Sequence, residues 1–299
     1  MAFQWNNPQN YVAFGPGNNC TLEVCPIQAS VYEYRPSLGA NTIFVILFGI
    51  AMILHLLRGL RYREWFFTGA IVLGCICEMI GYGGRIMLWQ NPFSFNGFLM
   101  QICCITFAPV FYCAAIYVLL TRVTMHLDPT ISRVPPTFWY WFFIPCDLIS
   151  LALQASGGAL STASTGHDNS AIDISLAGLG FQVGTLSLFV FGCLDYAIRY
   201  LRQPNRPPFT RQFKMLIIFS TVSILLIFIR CAYRINELKY GYNGPEITNQ
   251  GEFIALESCM ITIAAFTLIG ANPGPAIGAQ RKKETQLKKG APSSGDSLA

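Results

Sequence analysis

Seven long apolar stretches divide this chain of 299 residues, and they constrain its fold more than any short motif does. Each stretch approaches the roughly 20 residues that a helix needs to cross a hydrocarbon core of about 30 Å. The stretches lack the strict apolar–polar alternation of barrel strands, so helices are the better interpretation. The predicted spans are Gly39–Leu57, Trp65–Trp89, Phe98–Leu120, Phe138–Ala159, Ile174–Ile198, Met215–Tyr233 and Phe253–Ala271.

The charge content favours a membrane protein over a soluble one. Charged residues make up 12% of the chain and hydrophobic residues 53%, whereas a soluble domain carries about 25% charged residues. We therefore predict an all-α polytopic membrane protein, a seven-helix bundle with its transmembrane domain at 39–271. Segment 1–38 is predicted to be an extracellular or lumenal N-terminal tail. Segment 272–299 is predicted to be a disordered cytoplasmic tail, because it combines Pro, Gly, Lys and Ser.

The basic residues predict the orientation of the bundle. They cluster in alternate gaps between the spans, and cytoplasmic loops carry an excess of Lys and Arg. The gaps 90–97 and 160–173 contain none. We therefore expect the N-terminus outside and the C-terminus in the cytoplasm. The 15 basic residues on the predicted cytoplasmic side, out of 20 in the chain, are Arg58, Arg61, Arg63, Arg122, Arg133, Arg199, Arg202, Arg206, Arg211, Lys214, Arg281, Lys282, Lys283, Lys288 and Lys289.

The N-terminal segment carries two features that suit an oxidising, non-cytoplasmic compartment. Asn19-Cys20-Thr21 is an N-glycosylation sequon, and a disulfide bond between Cys20 and Cys25 is plausible there. Residues 1–38 lack the basic and apolar regions of a signal peptide, so we expect the first span to direct insertion. The expected location is the plasma membrane, although span length does not distinguish it from internal membranes.

Ionisable and amide side chains inside the spans form the candidate site. A charge at the bilayer centre costs about 2.5–3.5 kcal/mol, so these groups must face the bundle interior or one another. In spans two and six they recur at i, i+4 and i+7, which places them on one helix face. With the N-terminus outside, Asp147 lies near mid-membrane and the others lie in the outer half. The candidates are Glu78, Tyr82, Arg85, Asp147, Gln154, Gln182, Arg230, Arg234, Glu237 and Glu257.

Four of these candidates are acids and three are bases. They could pair almost completely, and a pair between Glu78 and Arg85 could be purely structural. The alternative is a binding site for a polar head group. Asp147 is its best candidate, because it is deep and has no basic neighbour in its own helix. An acid-rich cavity that opens outward among apolar helices suits an amphiphile with a cationic or hydroxylated head.

Two further patterns concern the shape and packing of the helices. Gly180 and Gly184 match GxxxG, in which small residues let helices approach closely. Pro109 and Pro145 lie inside spans three and four and are expected to kink them.

Motifs of several enzyme classes are absent from the sequence. It contains no GxxxxGK[ST] P-loop, no HExxH and no GxSxG nucleophile elbow. The histidines His55, His126 and His167 fall near span ends or in a loop, so neither a zinc site nor a haem-ligating pair is expected. We predict that the protein is not an enzyme and needs no cofactor or metal. The net charge of +5 is explained by the cytoplasmic loops, and no nucleic-acid partner is expected.

Several short patterns resemble the fungal RTA-like family, also called the lipid-translocating exporter family. The resemblance covers roughly residues 30–275. In the seventh span it weakens, since Asn272-Pro-Gly stands where the family usually has His-Pro-Gly, and the equivalent acid is either Glu252 or Glu257. The matching residues are Tyr34-Arg35-Pro36-Ser37, Glu78-x-x-Gly81-Tyr82-x-x-Arg85, Ala108-Pro109, Ala115, Tyr117, Arg122, Asp147, Gln154, Gly157-Gly158, Gly178, Gln182 and Arg230-x-x-x-Arg234-x-x-Glu237.

The resemblance implies a seven-helix fungal membrane protein with its N-terminus outside. Members of the family are linked to translocation of sphingoid long-chain bases and to resistance against amphipathic toxic compounds. We therefore predict a membrane translocator or exporter of such amphiphiles that confers resistance to them, with membrane lipids as its other partners. A seven-helix lipid receptor or sensor that signals to the cytoplasm is the alternative, and a structural protein without ligand is a third interpretation. The oligomeric state is left open.

Overall fold

The computed structural model of the protein describes residues 11–15, 17–127, 129–163, 169–204, 209–239, 247–275 and 277–278. Within these ranges there is no β-strand, and seven helices are long and apolar enough to cross a membrane. The predicted all-α class and the number of spans are thus confirmed. The first six helices are α1 (Leu38–Tyr62), α2 (Trp65–Gln90), α3 (Phe95–Leu127), α4 (Phe138–Ala163), α5 (Asn169–Leu201) and α6 (Arg211–Lys239).

The seventh helix changes its winding along its length. It is α-helical at Gln250–Glu252, π-helical at Phe253–Cys259 and α-helical again at Met260–Gly270. A π-helical turn is rare and is frequently found at a functional site. Here the turn contains Glu257, one of the predicted site residues, and it packs against α6.

Polar residues define both ends of α1. Its N-terminus is capped by Ser37, whose hydroxyl accepts a hydrogen bond from the amide of Ala40 at 3.4 Å. The helix ends at Arg63, which adopts a left-handed conformation with φ 56°. Such a residue reverses the chain direction at a helix C-terminus. Helix α2 can therefore begin at Trp65, with only Arg63 and Glu64 between the two helices.

Glycines bring two helix pairs into close contact. A Cβ atom on Gly84 of α2 would lie 2.6 Å from the carbonyl oxygen of Gly97 on α3. A Cβ atom on Gly178 of α5 would lie 2.9 Å from the carbonyl oxygen of Ser150 on α4. By contrast, Gly180 and Gly184 have nothing within 4 Å of such an atom. The expected GxxxG contact is therefore wrong for the described residues, because this face of α5 meets no neighbouring helix.

The described part of the N-terminal segment, residues 11–37, folds over the end of the bundle at α2 and α3. Cys20 and Cys25 form a disulfide bond. The side chain of Asn91, in the α2–α3 connection, donates to the carbonyl of Cys20 at 3.5 Å. The ring of Phe14 packs edge-on against Phe98, with centroids 5.2 Å apart. We call this end of the bundle the expected outer end, after the orientation predicted from the basic loops.

Asn19, the acceptor of the sequon, is exposed on this segment. Its side-chain oxygen accepts a hydrogen bond from the amide of Val12 at 2.8 Å. N-glycosylation uses the amide nitrogen of asparagine, so a glycan at this position would leave that hydrogen bond in place. The surface around Asn19 is thus compatible with modification.

We expect one N-linked glycan on the protein, since Asn19-Cys20-Thr21 is the only sequon in the sequence. Asn19→Gln should increase gel mobility and abolish the shift that N-glycosidase produces in the wild type. Thr21→Ser retains the sequon and should behave as the wild type does. A wild-type protein from a fungal host without any glycosidase-sensitive shift would count against the predicted N-terminus-outside orientation.

The chain beyond the seventh helix packs against the opposite end of α1. Asn272 is buried, and a Cβ atom on Gly274 would lie 2.7 Å from the Cβ of Tyr62. Residues 279–299, most of the predicted disordered tail, lie outside the described residues.

Candidate functional site

The ten predicted residues fall into two polar centres inside the bundle. The arginine centre lies among α2, α6 and the seventh helix, and the aspartate centre lies between α4 and α5, against α3. Three further residues lie beside the arginine centre, towards the expected outer end. The members are Glu78, Tyr82, Arg230 and Glu257 in the arginine centre, Asp147, Gln154 and Gln182 in the aspartate centre, and Arg85, Arg234 and Glu237 beside the first.

Arg230 is the residue of the arginine centre that interacts with both of its acids. Its side chain is fully buried, and Nη2 donates to the carboxylate of Glu257 and, at 3.0 Å, to the carbonyl oxygen of Ile105 on α3. That carbonyl is free to accept because Pro109, four residues later, has no amide hydrogen. Gly81 of α2 packs against the same turn, where a Cβ atom would lie 2.5 Å from Cγ1 of Ile105. The proline inside α3 thus supplies an acceptor for a buried guanidinium.

Glu78 is the member of the arginine centre without a hydrogen bond. Its side chain is 1% exposed, and neither carboxylate oxygen has a partner among the described residues. Nε and Nη1 of Arg230 and Oε2 of Glu257 also lack one there. The Glu78 carboxylate interacts electrostatically with Arg230 and Glu257. Since buried polar groups are nearly always paired, such a cluster marks a place for a proton, a water molecule or a ligand.

Tyr82 closes the arginine centre on the side of α1. Its ring stacks on Phe44 and Phe48, with centroids 5.2 and 5.8 Å away. Its hydroxyl interacts with Ser258 in the π-helical turn. The phenol therefore lies beside the seventh helix, one residue from Glu257.

Arg85 does not pair with Glu78, although the sequence allowed a structural pair between them. Its Nε donates to the side chain of Asn41 at 3.2 Å, and Nη2 donates to the hydroxyl of Tyr34 at 2.9 Å. The guanidinium also lies 3.9 Å from the ring centroid of Phe253, a cation–π contact. Because Tyr34 belongs to the N-terminal segment, Arg85 fastens that segment to the bundle.

The N-terminal segment covers the expected outer end of the arginine centre. The ring of Tyr32 lies 5.6 Å from the guanidinium of Arg85 and 5.8 Å from the ring of Phe98. Burial raises the pKa of Tyr32 above its usual range, which keeps the phenol neutral beside the arginine. Arg35 lies over the ring of Trp89 at 4.4 Å, and its Nε donates to the carbonyl of Trp89 at 2.6 Å.

The four acids and three bases of the candidate site form only two ion pairs among the described residues, whereas the sequence allowed almost complete pairing. Arg234 and Glu237 form a pair within α6, with 2.5 Å between Nη1 and Oε2, and Arg230 pairs with Glu257. Glu78 and Asp147 form no ion pair with a described residue. Two deeply buried acids are therefore left without a basic partner.

Asp147 is the core of the aspartate centre. Its carboxylate is 1% exposed, and it accepts hydrogen bonds from the hydroxyls of Tyr117 at 2.9 Å and Thr185 at 3.5 Å. Both donors are neutral, so the hydrogen bonds do not neutralise an ionised carboxylate. A buried charge without an opposite charge is strongly unfavourable. The site therefore favours either a proton or a bound cation.

Gln154 and Gln182 extend the aspartate centre along α4 and α5. Nε2 of Gln154 donates to the hydroxyl of Ser150 at 2.9 Å and to Oε1 of Gln182 at 3.0 Å. The hydroxyl of Ser175 lies 3.5 Å from the carbonyl oxygen of Gln154. These groups form a polar strip that runs about 10 Å from Asp147, over seven residues of α4, towards the expected outer end.

Both centres are closed to solvent in this conformation. Nine of the ten predicted residues are buried, and the side chain of the tenth, Arg234, is 12% exposed. The sequence had suggested a cavity that opens outward. The structure shows the packed N-terminal segment at that end instead, so access to the arginine centre from there would require this segment or the helices to move.

Comparison with known proteins agrees with the resemblance seen in the sequence. The family described as RTA1 like protein matches residues 71–280, a range that contains all ten predicted residues. A relative from Saccharomyces cerevisiae (strain Lalvin EC1118), named sphingoid long-chain base transporter RSB1, is 29% identical over 81% of this chain and 73% of its own length. No solved structure matches.

Two further relatives carry the family name. Protein RTA1 of Saccharomyces cerevisiae (strain ATCC 204508 / S288c) is 26% identical over 80% of this chain and 85% of its own length. The lipid-translocating exporter-like protein RTA1 of Leptosphaeria maculans is 27% identical over 84% of this chain and 52% of its own length. With the family match extending from α2 to beyond the seventh helix, this chain belongs to the RTA1-like family of membrane proteins.

Proposed function

We propose that this protein moves cationic or hydroxylated amphiphiles across the membrane, with sphingoid long-chain bases as the leading substrate class. The observation that carries this proposal is Asp147, a buried carboxylate whose two partners are neutral hydroxyls. An ammonium head group would supply the missing positive charge. The name of the relative RSB1, a sphingoid long-chain base transporter, supports the same substrate class.

The surroundings of Asp147 suit both ends of an amphiphile. The hydroxyls of Tyr117 and Thr185 lie beside the carboxylate and can hydrogen-bond with a hydroxylated head group. The polar strip from Asp147 to Gln154 and Gln182 offers further partners towards the expected outer end. The outer surface of α5 is apolar at residues such as Phe191, which is 70% exposed, and an alkyl tail can remain in contact with lipid there.

We further propose that the protein lies in the plasma membrane with its N-terminus outside, and that its transport activity confers resistance to toxic amphiphiles. Translocation needs no covalent chemistry, and the relatives are named as transporters or exporters. The structure describes no group of three or more metal-ligating side chains. The second proposed element of the site is the arginine centre, with Arg85, Arg234 and Glu237 beside it.

Transbilayer movement of a labelled sphingoid base tests the proposed function. Proteoliposomes that contain only this protein should move the label faster than protein-free liposomes. Asp147→Asn should slow this movement about 10- to 100-fold, because a hydrogen bond to a charged group contributes about 1.5–3 kcal/mol. The matched control is Asp195→Asn, which changes an acid whose side chain is 41% exposed at the other end of α5.

Each outcome of this experiment has a definite meaning. Equal movement with and without the protein would contradict translocation, and binding of the label without movement would favour the sensor alternative. Movement that is unchanged in Asp147→Asn would keep translocation but remove Asp147 from the site. Asp195→Asn should match the wild type, since the ion-pair partners of Asp195 among the described residues are the surface residues Arg133 and Arg199.

A further inference from the structure

We propose that the arginine centre holds one exchangeable proton, shared by Glu78 and Glu257, and that this proton is released when a cationic amphiphile binds. The proposal rests on the proposed function and assigns it a coupling ion. It makes the protein an exchanger of a proton against a positively charged lipid. The argument starts from the charges of the centre and the positions of their partners.

The charges of the arginine centre do not balance when both acids are ionised. Glu78 and Glu257 are each 1% exposed, and Arg230 is fully buried. Arg230 is paired with Glu257, so an ionised Glu78 would give the four residues of the arginine centre a net negative charge. Removing an unpaired charge from water is far more costly than adding a proton to a carboxylate. One proton on the two acids makes the centre neutral.

Neighbouring groups do not supply the missing positive charge. Arg234 also acts electrostatically on Glu257, but it forms its own ion pair with Glu237. Arg85 lies seven residues, or about 10 Å, further along α2 and is held by Asn41 and Tyr34. The other titratable groups that interact with the two acids are neutral thiols and phenols: Cys75, Cys77 and Tyr82 on α2, Cys104 and Tyr112 on α3, and Cys231 and Tyr233 on α6.

The free donors of Arg230 allow the centre to exist in two arrangements. With Glu78 protonated, Arg230 pairs with Glu257 and with the carbonyl of Ile105, as in this structure. When the O–H bond of Glu78 breaks and the proton passes to water, Nε or Nη1 of Arg230, both unpartnered here, can donate to the new carboxylate. One guanidinium then bridges two carboxylates. The arginine provides five donors, which is enough for both arrangements.

A cation at Asp147 would favour the second arrangement. Cys113 on α3 and Cys231 on α6 each interact electrostatically with both Asp147 and Arg230, so the two centres share neighbouring residues. An added positive charge in this region of low dielectric constant stabilises a carboxylate at Glu78 or Glu257. Binding of a cationic head group should therefore expel the shared proton. In the opposite direction, reprotonation should promote release of the lipid, because coupling between two sites is reciprocal.

Proton release on lipid binding tests the proposal directly. The purified full-length protein is placed in lightly buffered detergent solution with a soluble pH indicator. A sphingoid base is added at the same pH, well below the range where its own amine titrates, and protein-free micelles give the background. We expect the arginine centre to release about one proton per bound base, in addition to any proton that the base displaces from Asp147, and the affinity to rise with pH where the centre is protonated.

Two single variants should abolish release from the arginine centre while leaving that centre neutral. Glu78→Gln retains the pair of Arg230 with Glu257, and Glu257→Gln allows Arg230 to pair with Glu78. Each variant should bind the base through Asp147 and release one proton fewer per bound base than the wild type, since only a proton displaced from Asp147 itself is then left. Glu78→Asp keeps a carboxyl group and should still release the proton. Glu23→Gln, a change at an exposed acid of the N-terminal segment, should behave as the wild type does.

The outcomes separate this proposal from the proposed function. Wild-type protein that binds and moves the base without releasing a proton would overturn the coupling and leave translocation intact. Equal proton release in the wild type, Glu78→Gln and Glu257→Gln would place the proton elsewhere and also overturn it. Wild-type protein that does not bind the base would contradict the proposed function itself. The comparison with the wild type needs only one of the two Gln variants to fold.

Discussion

Arg230→Met is expected to cost about 3–5 kcal/mol of stability, the loss typical of removing one partner from a buried ion pair. The substitution keeps the aliphatic part of the side chain but leaves Glu257 and Glu78 buried without a paired base. It also leaves the carbonyl of Ile105 without a donor, since Pro109 cannot supply one. Proteins of this size are stable by about 5–15 kcal/mol. The folded, monodisperse fraction after detergent extraction should therefore fall sharply.

Thermal unfolding and size-exclusion chromatography of the solubilised protein provide the measurement. The control is Arg199→Met, since Arg199 pairs with Asp195 at the surface with its side chain 39% exposed, and such pairs contribute about 0–1 kcal/mol. Arg230→Met combined with Glu257→Gln should recover much of the lost stability, because only the protonatable Glu78 then stays in the centre. A stable Arg230→Met single variant would show that the guanidinium does not organise the three helices.

The helices could be predicted from hydropathy, but their ends could not. All seven spans were found, yet α3 runs over Phe95–Leu127 where the sequence predicted Phe98–Leu120. Similarly, α5 extends over Asn169–Leu201 beyond the predicted Ile174–Ile198. Hydropathy detects only the part of a helix that lies in hydrocarbon, whereas the backbone hydrogen bonds continue into the polar residues beyond it. Helix ends are the least predictable boundaries for this reason.

Residue spacing predicted which helix face carries the site residues, but it did not predict the hydrogen-bond partners of those residues. The i, i+4, i+7 pattern correctly placed Glu78, Tyr82 and Arg85 on one buried face of α2. The actual partners of Arg85, Asn41 and Tyr34, lie on α1 and in the N-terminal segment. Asn41 belongs to no pattern in the sequence, and the Tyr34-Arg35-Pro36-Ser37 pattern does not indicate which residue Tyr34 contacts. The contacts depend on how that segment packs over the bundle, which is a tertiary property.

Two features of the site had no signal in the sequence, and a third had only part of one. The π-helical turn at Phe253–Cys259 keeps an apolar sequence that fits an α-helix equally well. Thr185, which donates to Asp147, resembles any other threonine in a membrane helix. Pro109 was noticed as a site of bending. Its second consequence, a free carbonyl at Ile105 that Arg230 uses, requires the neighbouring helix to be known.

Gly84→Ala is expected to destabilise the bundle strongly, whereas alanine at the adjacent Gly83 is expected to be tolerated. A Cβ atom on Gly84 would lie 2.6 Å from the carbonyl oxygen of Gly97 and 2.9 Å from the amide nitrogen of Gln101. Both contacts are with backbone atoms of α3, so no side-chain rotation can relieve them. Overpacking of this kind typically costs about 1–3 kcal/mol. A Cβ atom on Gly83 would have no other atom within 4 Å. Alanine at this position should therefore stabilise the protein by about 0.5–1 kcal/mol through its better helix propensity.

Both variants add one methyl group to α2, at neighbouring positions. Their comparison therefore isolates the contact between α2 and α3. We expect the melting temperature of Gly84→Ala to fall well below that of the wild type, and that of Gly83→Ala to stay equal or rise. Because α2 carries Glu78 and Arg85 and meets α3 beside Ile105, separation of the two helices should also weaken lipid transport in Gly84→Ala. Equal melting temperatures for both variants would mean that the helices do not approach each other at Gly84. The position of Glu78 relative to Arg230 would then lose its structural basis, since the same contact sets the distance between α2 and the helices that hold the arginine.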